Sequence, residues 1–134
     1  MEVRRIDPDQ AKAHLDANDG HVYLDVRTEE EFRCGRVPGS VNVPVLVRNP
    51  NGPGLVPNPD FVAQVAERFA KDTPIIAACL RGGRSLRAAG MLIARGFSNV
   101  VDMRGGYDGE LDANGDVIFP GWTRRGLPTT SGAE

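Results

Sequence analysis

Three short runs in this 134-residue sequence do not alternate polar with apolar residues. They are Val22-Tyr23-Leu24-Asp25-Val26, Pro74-Ile75-Ile76-Ala77-Ala78 and Asn99-Val100-Val101-Asp102-Met103. A strand with one wet face alternates, whereas a near-continuous apolar run predicts a strand buried on both faces. Such strands need helices above and below them, and helical patterns lie between these runs. Asp7-Pro8 reads as an N-cap followed by proline at the first helical position, with the helix running to about Ala17. Thr28 caps a short acidic helix, Glu29–Cys34, with Glu31 in the capping-box position and Gly35 as its stop. After Pro59, Phe61, Val62, Val65, Ala66 and Phe69 recur at helical spacing. Ser85–Arg95 forms a further helix ended by Gly96.

Val3–Ile6 and Ser40–Val43 are short strand candidates, and Asn114-Gly115 between Leu111 and Val117-Ile118-Phe119 signals a hairpin. Residues 44–59, with Pro44, Pro50, Pro53, Pro57, Gly52 and Gly54, read as loop. Strands alternating with helices imply an open, mostly parallel α/β sheet. The expected organisation is one domain over residues 1–134, with a core at about 3–129 and a polar tail, 130–134, that frays.

Composition excludes several classes. A net charge of −2 argues against general nucleic-acid binding, which wants a basic surface. No apolar run approaches the ~20 residues of a membrane helix, and the N-terminal residues carry no apolar stretch of the signal-peptide kind. The two cysteines, Cys34 and Cys79, make no disulfide framework, and no Cys/His group has zinc-site spacing. Free thiols and a cytoplasmic location are the expectation.

The most informative segment is Cys79-Leu80-Arg81-Gly82-Gly83-Arg84-Ser85, which follows a buried strand and opens a helix. In open α/β sheets ligands bind beyond the carboxyl ends of the strands, where this loop sits. Gly82 and Gly83 let the backbone curl so that several N–H groups aim at one point. The positive end of the following helix lies behind that point, and Arg84 adds a charge. All three favour a thiolate at Cys79 over a thiol. The same cradle suits an anionic substrate or the outer sulfur of a persulfide. A small buried core cysteine is the plainer alternative.

With these residues on the page, the chain resembles the rhodanese family. The loop matches C-x-x-G-x-R-[ST]. Leu24-Asp25-Val26-Arg27, Glu31-Phe32 and Gly35-Arg36-Val37-Pro38-Gly39-Ser40-Val41-Asn42-Val43-Pro44 look like the family's N-terminal signature. Gly105-Gly106, Trp122 and Gly126-Leu127-Pro128 look like its C-terminal ending. The resemblance implies a five-stranded, mostly parallel sheet with helices on both faces. It also implies a sulfurtransferase that moves a sulfane sulfur from thiosulfate or a persulfide donor, by way of a Cys79 persulfide. The acceptor would be thiophilic: cyanide, a small thiol or a protein thiol. It implies Cys79 as nucleophile and residues Leu80, Arg81, Gly82, Gly83 and Arg84 as the substrate- and persulfide-binding loop, with no metal or organic cofactor. Phosphatases and arsenate reductases of the same fold use a longer C-x5-R loop, and the C-x4-R loop here favours sulfur transfer. A non-catalytic binding module is the other alternative, opposed by the intact cysteine loop.

Supporting residues carry further expectations. Asp25 and Arg27 form an internal polar network at a strand end, with Glu31 pairing an arginine nearby. Ser85 caps its helix, and by the resemblance its hydroxyl also approaches the sulfur. Arg36 stands where the family has histidine, either as a surface residue or as extra charge at the cleft rim. Arg81 faces substrate, and Arg87 is solvated. Arg27 and Arg104 join Arg81 and Arg84 in a local anion-attracting field. Cys34 is a half-buried helix-end thiol, with a resolving role as the alternative. His14 and His21 show no pairing with Cys79, which disfavours a Cys–His hydrolase. Residues 107–121 lengthen a gap that the family pattern keeps short, as a decorative hairpin, a lid over Cys79 or a docking surface.

Overall fold

The computed structural model describes residues 3–132. Strands β1 (Arg4–Ile6), β2 (Val22–Asp25), β3 (Val41–Asn42), β6 (Ile75–Ala78) and β7 (Val100–Met103) form one sheet in the order β1-β7-β6-β2-β3. Every pairing in it is parallel. The three non-alternating runs are its three central strands, and all four residues of β6 are buried.

Successive side chains on β6 supply two different cores. Ile75 and Ala77 face a layer containing Phe61, Val65, Ala88, Ala89 and Leu92, from α3 (Phe61–Arg68) and α4 (Gly83–Ala94). Ile76 and Ala78 face Ala11 of α1 (Pro8–Asp16), with Tyr23, Met103 and Trp122. The expected helices on both faces are therefore present. Helix α3 has no side-chain N-cap, and its eight residues are too few for a stable isolated helix. Burial of Phe61 and Val65, at roughly 1.5–3 kcal/mol each, holds it in place. Helix α1 has the expected start: Asp7 accepts from the Gln10 amide, and the Gln10 side chain returns to the Asp7 amide. Helix α2 (Glu29–Cys34) repeats the device with Thr28 and Glu31.

The structure corrects two sequence expectations. Residues 44–59 contain an antiparallel ribbon, β4 (Leu46–Arg48) with β5 (Leu55–Pro57). A two-stranded ribbon hydrogen-bonds only alternate positions, so Pro57 does not prevent it. Helix α4 begins at Gly83 and not at Ser85, because Gly82 takes the left-handed backbone (φ +107°) at the N-cap and helical geometry starts at the next residue. Within the tail, Thr130 exchanges both backbone hydrogen bonds with Arg36, and the Gly132 amide donates to Arg33 O. Residues 133 and 134 of that tail lie outside the described residues. The hairpin marked by Asn114-Gly115 is present as β8 (Gly109–Leu111) and β9 (Val117–Pro120).

Candidate active site

Cys79 follows the last residue of β6 and precedes the Gly82 turn into α4, so its sulfur lies at the carboxyl end of the sheet and the amino end of a helix. The first-turn amides of that helix have no intrahelical acceptor. The sulfur accepts a hydrogen bond from the Gly82 amide at 3.0 Å and lies 3.4 Å from the Ser85 hydroxyl. The residue is only 2% exposed and joins the apolar layer around Ile75 and Ala88. Its sulfur nonetheless has polar partners, which separates it from a plain core cysteine. The ring of amides expected from residues 80–84 is represented, at the sulfur itself, by Gly82 alone.

The loop is clamped from behind by the segment that lengthens the Gly106–Trp122 gap. Tyr107 N donates to Cys79 O at 2.7 Å, and Asp108 N donates to Leu80 O at 3.0 Å. This close approach needs Gly106, whose φ is +63° and whose Cβ, if it had one, would stand 2.5 Å from the Cys79 carbonyl oxygen. Residues 107–121 are thus more than decoration: their first residues hold the loop backbone. Trp122, which follows them, is buried and donates from Nε1 to Pro128 O at 2.7 Å.

The arginines expected to make a free positive field are paired off. Arg84 Nη1 and Nη2 donate to the two carboxylate oxygens of Glu31 at 3.0 and 3.2 Å. Arg81 is exposed and donates to Asp108 at 2.6 Å. Arg104 donates to Glu110 at 3.0 Å and stacks on Phe119. Arg27 is buried with Asp25, donating through Nε and Nη2 at 2.8–3.1 Å, and also reaches Gly35 O. The Asp25–Arg27 network was expected, and Asn42 ties it to the sheet through Asp25 O and Arg27 O. Arg87 is exposed, as expected. The carboxylates that pair Arg84, Arg81 and Arg104 come from α2 and from the 107–121 segment, and local sequence does not place either beside the loop; Arg27 has its partner two residues away in Asp25.

Two supporting assignments change. Ser85 does not cap α4; it lies inside the first turn, fully buried, and donates to Asp102 Oδ1 at 2.5 Å. Arg36 is neither a surface residue nor a cleft-rim charge. It is 5% exposed, lies over the Phe32 ring and donates to Phe32 O and Gly132 O, so it fastens the tail to α2. Cys34 is exposed and shares a depression of about 440 Å³ with Arg27, Glu31, Leu80, Tyr107 and Asp108. His14 and His21 stack on each other at 4.3 Å, and His21 meets Asp19 at 2.6 Å, so neither serves Cys79. Sequence reasoning missed Asp102, Arg5 and Tyr107. The signal for Asp102 was an acid inside an otherwise apolar strand run.

The Glu31–Arg84 pair fixes the loop's arginine over a wide pH range. Burial pushes the Glu31 carboxyl up, but the hydrogen bonds from Arg84 and Thr28 outweigh it and leave the group below its ordinary value. An acid lowered in the folded state stabilises the fold above its unfolded value and loses that contribution as pH falls through the folded one. Native protein is therefore expected to exceed Glu31→Gln in stability at pH 7 by about 0.2–1 kcal/mol, the range for a solvent-screened ion pair. The difference should vanish on acidification below the usual glutamate range. Urea midpoints at successive pH values check this; a gap that widens in acid would contradict it.

Against known proteins, a family model described as the rhodanese-like domain matches residues 7–111. The chain belongs to the rhodanese-like domain family. Among curated relatives of this rhodanese-like domain, "Thiosulfate sulfurtransferase 16, chloroplastic" of Arabidopsis thaliana is 42% identical over 110 residues, covering 82% of this chain and 80% of that protein. "Protein HIGH ARSENIC CONTENT 1, mitochondrial", also of Arabidopsis thaliana, is 42% identical over 112 residues, covering 84% of this chain. This rhodanese-like domain spans only 64% of that relative's length. Among solved structures, Rv0390 from M. tuberculosis superposes with a TM-score of 0.79 at 30% identity, over 98% of this chain and 100% of that one. No helix among the described residues is long and apolar enough to cross a membrane.

Proposed function

We propose that this rhodanese-like domain is a thiosulfate sulfurtransferase that works through a persulfide on Cys79. The Cys79 thiolate attacks the outer sulfur of a small anionic donor such as thiosulfate. A sulfur–sulfur bond to Cys79 forms, the donor's sulfur–sulfur bond breaks, and sulfite leaves with the electron pair. A thiophilic acceptor (cyanide, a small thiol or a protein thiol) then takes the outer sulfur and restores the thiolate. The observation that carries this reading is the Cys79 sulfur held between the Gly82 amide and the Ser85 hydroxyl at the start of α4. Donors of that polarity stabilise an anionic sulfur. With the nearby guanidinium groups paired, the loop and first-turn amides of α4 are what a donor anion would meet. The small exposure of Cys79 favours a compact donor, and the chemistry uses no metal or organic cofactor.

The test is thiocyanate formation from thiosulfate and cyanide, with mass spectrometry of the Cys79 peptide after thiosulfate alone. Thiocyanate and one added sulfur on that peptide are expected. Absence of both would remove the reading.

A second reading is kept because of one relative's name, HIGH ARSENIC CONTENT 1, at 42% identity. An oxyanion reductase would attack arsenate with the same sulfur. The C-x4-R loop opposes it, since the family resemblance implies a longer C-x5-R loop for phosphatases and arsenate reductases of this fold. Arsenate reduction with a dithiol reductant, run beside the thiocyanate assay, separates the two; sulfur transfer without arsenite formation is expected.

A further inference from the structure

The Ser85 hydroxyl stands between two groups that both want its proton. On one side Cys79 Sγ is 3.4 Å away, and on the other Asp102 Oδ1 is 2.5 Å away. A serine hydroxyl has one proton to donate. When it goes to an ionised Asp102, an oxygen lone pair faces the sulfur, and that arrangement suits a thiol. When it goes to a thiolate, the serine oxygen faces Asp102, and only a protonated carboxyl can meet it without repulsion. The charge states of Cys79 and Asp102 are therefore linked through a single hydroxyl.

We propose that Ser85 and Asp102 form a proton relay that takes the thiol proton of Cys79 into the buried carboxylate. The S–H bond breaks as a Ser85 O–H bond forms, and the original Ser85 O–H bond breaks as an Asp102 O–H bond forms. Net charge is unchanged and nothing is oxidised or reduced. Asp102 acts through Ser85 and is a positioning residue for the proton. This inference rests on Cys79 being the nucleophile.

Asp102 is well placed to receive a proton. It is 0% exposed, on β7, and its side chain points to the α4 side of the sheet. Burial raises its carboxyl above the ordinary range, although hydrogen bonds from Ser85 and Arg5 oppose that shift. From β1, Arg5 Nε donates to Asp102 Oδ2 at 2.9 Å, with its side chain one-third exposed (33%). The residue of β6 paired with Asp102 is Ala77, which carries no charge. Arg84, engaged by Glu31, and the buried Tyr23 also interact electrostatically with Cys79. With both histidines paired elsewhere, the Ser85–Asp102 chain is the proton path from Cys79 that the described residues offer.

The test is the pH dependence of iodoacetamide alkylation, followed on the Cys79 peptide so that the exposed Cys34 does not contribute. Ser85→Ala and Asp102→Asn are each expected to slow alkylation at pH 7 by about tenfold, a shift of about one pH unit. Ser85→Thr should restore the native profile. The double variant Ser85→Ala/Asp102→Asn should be no slower than either single one, because the two act as one path. Arg5→Gln tests the outer end without touching the core. Losing a cation would slow a thiolate held by simple charge attraction, whereas the relay predicts about threefold faster alkylation because Asp102 becomes the better base. Should Asp102→Asn fail to fold, Ser85→Ala against Ser85→Thr together with Arg5→Gln still decides. Additive single effects, a native profile in Ser85→Ala or slower alkylation in Arg5→Gln would each overturn the relay. If native Cys79 fails to alkylate at any pH, it is the proposed function that falls.

Discussion

A Cys79→Ser variant is expected to form no thiocyanate above the rate without protein, while keeping the native fold. The loss should be on the order of a thousandfold or more, because oxygen cannot take up a sulfane sulfur to give a persulfide. The fold should survive. Serine is slightly smaller than cysteine, and its hydroxyl can accept the Gly82 amide that the sulfur accepts at 3.0 Å. The two cysteines make the control simple: Cys34→Ser, at an exposed position, leaves the Cys79 thiol in place. Thiocyanate production, circular dichroism and the persulfide mass of each variant check the outcome. A Cys79→Ser protein that still transfers sulfur would move the chemistry elsewhere.

Gly106→Ala is expected to give a large structural effect for a single methyl group. Its added carbon would stand 2.5 Å from Cys79 O and 2.7 Å from Leu80 C, and both are backbone atoms that cannot rotate away. The residue also needs a left-handed backbone, which alanine adopts at a cost. Relief requires the 2.7 Å Tyr107–Cys79 backbone hydrogen bond to lengthen or break. We expect a loss of about 3 kcal/mol or more, read as a lower urea midpoint. Sulfur transfer should fall with it, because the same bond holds the loop that carries Cys79. Near-native stability would show that the clamp yields without strain. Native stability with lost activity would assign the clamp to the site alone.

The fold and the candidate site were unequally legible in the sequence. Helix starts at Asp7 and Thr28, the buried strands and the Asn114-Gly115 hairpin rest on periodicity, capping and turn chemistry. Those act over a few residues, and the structure bears them out. The Pro-rich stretch 44–59 misled because proline content weighs against a ladder, although a two-stranded ribbon tolerates it at one position. Ser85 misled for a related reason. Its identity fits a helix cap, but the left-handed Gly82 starts the helix two residues early and turns that hydroxyl inward, toward Asp102.

The sequence by itself determined the order of the helices and of the parallel sheet's strands, and the position of Cys79 at a strand end in a glycine loop. Each follows from residues adjacent or one helical turn apart. Tertiary structure alone decided which charges meet. Arg84 finds Glu31 across 53 positions, Arg81 finds Asp108 across 27, and Arg5 finds Asp102 across 97. A guanidinium can satisfy many carboxylates equally well, so composition leaves its partner undetermined until the sheet order brings one within reach. The same holds for Asp102 and Ser85, which sheet and helix packing place beside the sulfur because β7 lies next to β6 and α4 crosses above them.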